Sequence, residues 1–133
     1  MKIVTCMKPV PDPASRLLVN EGKTWIRDSD LTFVVNEADS YALEEALLLK
    51  EKHDGEVVAL SVGQESTLRV LRTGLASGAD RAILMSDERF AGSDEFATAQ
   101  IIARAIEKDG GADMVLTGVQ SDDLGTGMTG AMV

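Results

Sequence analysis

The chain alternates between short unbroken apolar runs and longer stretches of helical period. The runs are Ile3-Val4-Thr5-Cys6-Met7, Val57-Val58-Ala59-Leu60, Ala82-Ile83-Leu84-Met85 and Met114-Val115-Leu116. They lack the apolar–polar alternation of a half-exposed strand, which is the pattern of strands covered on both faces of a parallel sheet. Between them, Ala38, Tyr41, Ala42, Ala46 and Leu49 form one helical stripe, followed by Lys50, Lys52 and His53, whose charges suit a helix C-terminus. Leu68, Leu71 and Leu75 form a second stripe, stopped by Gly78. Phe96, Ala99, Ala103 and Ile106 form a third, opened by Ser93 and stopped by Gly110-Gly111. The predicted order is β, loop, α, β, α, β, α, β, α.

That order implies right-handed crossovers and a doubly wound, mainly parallel α/β sheet, with the ligand crevice outside the carboxyl ends of the strands. One interruption, from Lys8 to Asp30, breaks the alternation. Within it Leu17-Leu18-Val19 and Thr24-Trp25-Ile26 flank Asn20-Glu21-Gly22-Lys23, so a β-hairpin excursion is expected near residues 17–27. Such a hairpin either caps the sheet edge or presents Trp25 to a partner.

The stretch from Ala112 to Gly130 carries the most chemical information. A strand-like run breaks at Gly118 into a polar loop, Val119-Gln120-Ser121-Asp122-Asp123-Leu124-Gly125-Thr126-Gly127-Met128-Thr129, and small residues lead into a new helix. Backbone N–H groups and a helix N-terminus at the end of a parallel strand make an anion site. A plain connecting turn has the same spacing, so the loop alone leaves both readings open.

Composition narrows the field. A chain of 133 residues suits one domain, and residues 1–133 are read as a single nucleotide-binding α/β unit. The formal net charge of −9, with no cluster of Lys and Arg, argues against a nucleic-acid partner. The one cysteine, Cys6, cannot form an internal disulfide, and no metal-ligand spacing is visible. No apolar run approaches the roughly 18 residues of a membrane span, and Met1 leads directly into a strand, so a cytoplasmic protein without membrane insertion is expected. Val133 stands a few residues into the last helix with no stop signal, and the domain reads as truncated, the front part of something longer.

Other reactive residues have ordinary readings. Cys6 is expected to be a small buried hydrophobe and His53 a surface cation at a helix end. Asp80-Arg81 reads as a turn pair, and Lys8 leaves the first strand at the functional rim, either solvated or near a nucleotide or a partner. No Ser, His and Asp set or carboxylate pair stands out for hydrolytic chemistry.

Four segments meet at one rim of the predicted sheet: Cys6 to Lys8, Asn36 to Asp39, Ser61 to Gln64, and the Gly118 loop. Met7-Lys8-Pro9-Val10-Pro11-Asp12, Asn36-Glu37-Ala38-Asp39 followed by Ala42-Leu43-Glu44-Glu45-Ala46, Gly74-Leu75-Ala76-Ser77-Gly78-Ala79-Asp80-Arg81, and Gly118-x-Gln120-x-x-Asp123 ending in Thr129-Gly130 occur in shared order and near-gapless spacing. Together they resemble the β-subunit family of the electron transfer flavoproteins. The resemblance implies an adenine-nucleotide α-hydrolase-like (Rossmann-like) fold and a heterodimer with an α subunit that holds most of the FAD. It also implies electron carriage from dehydrogenases to a quinone reductase or other acceptor, not an enzyme activity of the β chain. In the β subunit the nucleotide is AMP, or a second FAD in electron-bifurcating relatives. Carried over by position, the site comprises Cys6, Asn36, Glu37, Ala38, Asp39, Val62, Gly118, Val119, Gln120, Ser121, Asp122, Asp123, Leu124, Gly125, Thr126, Gly127, Met128 and Thr129. The chain departs from the familiar pattern at Met128, where a Gln is common, and at Leu124-Gly125, where acidic residues are common.

Asp122 and Asp123 would oppose a phosphate by about 1 kcal/mol per charge at about 4 Å in water. They are therefore expected to point away from it, one of them toward ribose hydroxyls or the base amino group, or both to act as a solvated or helix-capping pair. The phosphate is expected on the N–H groups near Gly127 to Thr129 and the Thr129 hydroxyl. Two rivals share the fold. A universal-stress-type nucleotide-binding module would continue the loop with basic or Ser-rich residues, where this chain has Met128-Thr129-Gly130-Ala131-Met132. An ATP-pyrophosphatase needs a Ser-Gly-Gly-x-Asp-Ser-type loop after the first strand, where Pro9 and Pro11 remove N–H donors.

Overall fold

The computed structural model describes residues 1–27, 29 and 31–133. Asp30, where the expected interruption ends, lies outside the described residues, as does Asp28. The elements are β1 Lys2–Cys6, β2 Pro9–Pro11, β3 Phe33–Val35, α1 Glu37–His53, β4 Glu56–Val62, α2 Leu68–Ser77, β5 Arg81–Met85, α3 Glu95–Lys108, β6 Met114–Leu116 and α4 Thr129–Met132. The four apolar runs are the four strands of one sheet, in the order β5-β4-β1-β6 with every pairing parallel.

The runs of β1 and β4 are unbroken because both faces are covered, whereas the edge strands β5 and β6 are half-buried to exposed. In β4, Val57, Val58, Ala59 and Leu60 are each 0% exposed. Side chains alternate across the pleat. Ile3, Met7, Val57 and Ala59 pack with Leu43 and Ala46 of α1 and Val70 and Leu71 of α2, while Val4, Val58 and Leu60 pack with Ile102, Ala105 and Ile106 of α3 on the other face. Full burial of a Val, Leu or Ile stabilises the fold by about 1.5–3 kcal/mol each, and β4 supplies the centre of both layers.

Helix faces differ from the sequence expectation in detail. The stripe of α1 is Asp39, Leu43 and Ala46, and Tyr41, expected inside, is 68% exposed with its hydroxyl on Glu37 Oε1. A carboxylate on the buried face had shifted the apparent apolar period. In α2 the buried residues are Val70, Leu71 and Gly74, with Leu75 41% exposed, and in α3 Phe96 lies outside while Ala99, Ile102, Ala105 and Ile106 lie inside. The first residue capping α3 is Asp94, whose carboxylate takes the Ala97 N–H, rather than Ser93.

The interruption between β1 and α1 is an arm. Its base is the antiparallel ribbon β2–β3, closed by the Asn36 N–H on the Lys8 carbonyl at 3.0 Å. Its tip is the expected hairpin, reduced to a bridge between Val19 and Ile26 with Asn20 and Arg27 N–H groups donating to the Trp25 and Leu18 carbonyls. Leu17, Val19 and Trp25 stay exposed, so the tip buries little of its own apolar surface. Asp80 and Arg81 do not pair with each other: Asp80 binds Lys50, and Arg81 binds Glu56 and Asp109 at the amino ends of the strands.

Candidate functional site

The chain leaves β1 toward β4 on one side, whereas β6 lies on the other, so the strand order reverses between β1 and β6. Ligands of open α/β sheets bind at such a reversal, outside the carboxyl ends of the strands. A cleft of about 380 Å³ lies there, walled by the β1 exit, the start of α1, the β4–α2 and β5–α3 turns and the β6–α4 loop. The size falls in the range of small-molecule pockets.

Two side chains at the start of α1 fix the β6–α4 loop. Asn36, 1% exposed, makes no cap of its own helix. Its Nδ2 instead donates to the Gln120 carbonyl at 2.9 Å, and its Oδ1 accepts the Asp122 N–H at 3.0 Å. One turn on, Asp39 accepts the Lys8 N–H at 2.7 Å and the Gly118 N–H at 3.2 Å. Gly118 must be glycine, because a Cβ there would run into Asp39 Oδ1 and stand 3.0 Å from the Ala38 backbone. Burial pushes the Asp39 carboxyl up from its ordinary value, against the opposing pull of the N–H groups aimed at it.

The acidic pair of the loop is engaged with protein. Asp122 accepts the Glu37 N–H at 3.3 Å and so sits at the N-terminus of α1, where the helix dipole favours a negative charge. Asp123 forms an ion pair with Lys8 at 2.6 Å, and Lys8 Nζ also donates to Ser121 Oγ at 3.0 Å. Burial works to raise the Asp123 carboxyl, but Lys8, Ser121 and the Leu124 N–H together hold it below the usual range. Lys8, the cationic side chain among the described residues lining the cleft, is thereby neutralised.

Beyond Leu124 the same loop changes character. Gly125 and Gly127 both have φ of +65°, and Met128 returns to right-handed backbone with φ −99° and ψ −34°. Among the described residues, the N–H groups of Thr126, Gly127 and Met128 have no protein acceptor. Alternating left- and right-handed backbone turns successive N–H groups toward one point, the arrangement that binds anions.

Of the residues expected at the site, Cys6, Asn36, Asp39, Val62, Gly118, Val119, Gln120, Ser121, Leu124, Thr126, Gly127, Met128 and Thr129 line the cleft. Glu37, Ala38, Asp122, Asp123 and Gly125 do not line it. Cys6, expected to be buried, is half-buried at the end of β1 and lines the cleft, and its surroundings push the thiol up to about 12, which does not suit a nucleophile. His53 is exposed at the end of α1. The β5–α3 turn, from Phe90 to Glu95, is a wall that the sequence reading omitted. Its signal was Gly92-Ser93-Asp94 following the strand-like Ala82–Met85 run, a turn at the same carboxyl edge. Among the described residues no group of three or more His, Cys, Asp or Glu could hold a metal ion, and no helix is long and apolar enough to cross a membrane.

Comparison with known proteins gives the family. The electron transfer flavoprotein domain matches residues 24–133. Protein FixA of Azorhizobium caulinodans is 42% identical over 98% of the chain and 47% of its own length. The acryloyl-CoA reductase electron transfer subunit gamma of Anaerotignum propionicum is 39% identical over 100% of the chain and 50% of its own length. The electron transfer flavoprotein subunit beta of Thermoanaerobacterium thermosaccharolyticum is 38% identical over 100% and 50%. The chain thus spans about half the length of the curated relatives it matches.

Proposed function

Since the chain belongs to the electron transfer flavoprotein family, we propose that it forms the nucleotide-binding part of a β-type subunit and holds an adenine nucleotide, AMP or a second FAD, in the cleft. The observation that carries this reading is the row of three unpartnered N–H groups, Thr126 to Met128, on a loop that Asn36 and Asp39 fasten to the strand-order reversal. The cationic side chain at hand, Lys8, is already paired with Asp123. A phosphate is therefore recognised by backbone, with the half-buried Thr129 beside it.

The cleft volume of about 380 Å³ suits one nucleoside monophosphate unit. AMP fills it, or the AMP half of FAD does while the rest of the dinucleotide extends past the rim. Bound AMP contributes order without redox chemistry, whereas a bound FAD supplies a second redox centre. In either case this chain positions and shields the nucleotide, and electron transfer requires an α subunit that carries the main FAD. The assembled protein works in the cytoplasm and passes electrons from dehydrogenases to a quinone reductase or another acceptor.

The test is to co-purify the full-length chain with its α subunit, denature the complex and identify the released small molecules by mass spectrometry. AMP, or FAD in excess of one per heterodimer, is the expected result. Release of no adenine nucleotide, together with no AMP binding by calorimetry on the stripped complex, would overturn the proposal.

A further inference from the structure

Among the described residues lining the cleft, the charged side chains are Lys8, Asp39, Asp94 and Glu95, and the loop that walls it adds Asp122 and Asp123. For a site that takes an anion this field is unfavourable, because carboxylates outnumber the cation. Most of these carboxylates are answered by backbone. Asp39 accepts the Lys8 and Gly118 N–H groups, Asp94 the Ala97 N–H and Asp122 the Glu37 N–H, while Glu95 stands in the first turn of α3, where the helix dipole favours it. Asp123 differs: it accepts the Leu124 N–H, and its counter-charge is Lys8.

Lys8 reaches out from a fixed point. Its N–H donates to Asp39 Oδ2 at 2.7 Å and its carbonyl accepts the Asn36 N–H at 3.0 Å. From there Nζ meets Asp123 Oδ1 at 2.6 Å and Ser121 Oγ at 3.0 Å. Ser121 and Asp123 belong to a turn closed by the Gly125 N–H on the Ser121 carbonyl at 2.9 Å, and Thr126, the first of the unpartnered N–H groups, follows directly. Three residues span at most about 11 Å of chain, against a Debye length of about 8 Å at physiological ionic strength. The charge of Asp123 is therefore felt where the anion would sit. The pair itself is partly exposed, with side chains 40% and 25% accessible, and such pairs contribute little to folding. Its effect falls on the ligand.

We propose that Lys8 is a positioning residue of the nucleotide site that acts through Asp123: its ammonium holds that carboxylate at the β1 exit and cancels its charge, so that the Thr126 to Met128 N–H groups can take a phosphate. Lys8 stays on Asp123 and does not itself bind the phosphate. The proposal rests on the nucleotide reading above and adds the residue that lets an acidic loop accept an anion.

Calorimetry on the full-length chain with its α subunit, stripped of ligand, tests this with two probes, AMP and the uncharged adenosine. Lys8→Gln keeps a donor near Ser121 and Asp123 but removes the charge. It should weaken AMP roughly 3- to 30-fold at low salt, the effect of one uncompensated charge at this range, with the loss shrinking as salt is raised. Adenosine should stay within about twofold. Adding Asp123→Asn to Lys8→Gln should return AMP to within about twofold of wild type, which also guards against a fold defect in the single variant. A double variant as weak as Lys8→Gln would overturn the proposal, since Lys8 would then touch the phosphate itself or merely clamp the loop. Unchanged AMP affinity in Lys8→Gln, or equal weakening of AMP and adenosine, would overturn it as well and leave the nucleotide reading standing. A wild-type protein that binds neither probe would overturn that reading and this proposal with it.

Discussion

Replacing Asn36 with Ala probes the fastening of the β6–α4 loop directly. The side chain makes two hydrogen bonds to one loop, 2.9 Å to the Gln120 carbonyl and 3.0 Å from the Asp122 N–H, and is 1% exposed. Each neutral hydrogen bond contributes about 0.5–1.5 kcal/mol net, so their loss should lower the unfolding free energy by about 1–3 kcal/mol. Gln120 and Asp122 lie at an exposed part of the loop, and water can satisfy them after the change, which keeps the cost near the lower half of that range. The larger effect is local: hydrogen exchange in residues 118–124 should accelerate by more than the global loss of stability explains. Asn36→Asp sharpens the test. Its carboxylate still accepts the Asp122 N–H but faces the Gln120 carbonyl with a second acceptor, so its folded pKa is raised. A raised carboxyl contributes stability below its unfolded pKa and loses it as pH rises through the folded value. This variant should therefore approach wild type in acid and fall below it at neutral pH. Urea unfolding and exchange mass spectrometry provide the readouts. Unchanged exchange in residues 118–124 of Asn36→Ala would refute the idea that this side chain holds the loop.

Three further outcomes follow from the geometry. Gly127→Val, at φ +65° with a Cβ that would sit 3.4 Å from the Val119 carbonyl, adds about 1–2 kcal/mol of strain and should abolish AMP retention by calorimetry, while Asp122→Asn should weaken it by no more than about 0.5–1.5 kcal/mol. Arg81, and then Lys2, hold the Asp109 carboxyl well below the usual carboxylate range; a depressed carboxyl stabilises above its unfolded pKa and loses that as pH falls through the folded value. Asp109→Asn should thus lower the urea midpoint at neutral pH, and the gap to wild type should close in strong acid. Cys6, with its thiol near pKa 12, should be about one part in ten thousand thiolate at pH 8 and resist iodoacetamide until the chain unfolds, followed by mass spectrometry.

The sheet was legible because burial on both faces leaves no room for polar residues in β1 and β4, and apolar runs survive as runs. The first helix was harder to orient: the buried stripe begins with Asp39, a carboxylate retained for two backbone N–H groups, and a period search over apolar residues skips it. The β2–β3 ribbon was invisible for a different reason. Pro9 and Pro11 argue against a strand, yet in a two-stranded ribbon a proline can face away from the ladder while Val10 between them is 2% exposed. Most of the residues expected at the site do border the cleft, but Asn36 and Asp39 do so as fasteners of the loop. Side-chain type signalled where they belong and not which way their hydrogen bonds run.

The arm between β1 and α1 has a mechanical consequence. Its two ends meet at Lys8 and Asn36, joined by a backbone hydrogen bond, and those residues also carry contacts that fix the β6–α4 loop. The arm is a handle whose hinge is part of the latch. A load applied at its tip, where Leu17, Val19 and Trp25 stand in solvent, meets both that hinge and the seat of the ribbon on the core, where Val10 is 2% exposed and Val35 packs against the cluster of Leu43, Val70 and Leu71. Shortening the handle symmetrically from the tip leaves the hinge intact, whereas a single-residue change in the length of either ribbon strand twists it.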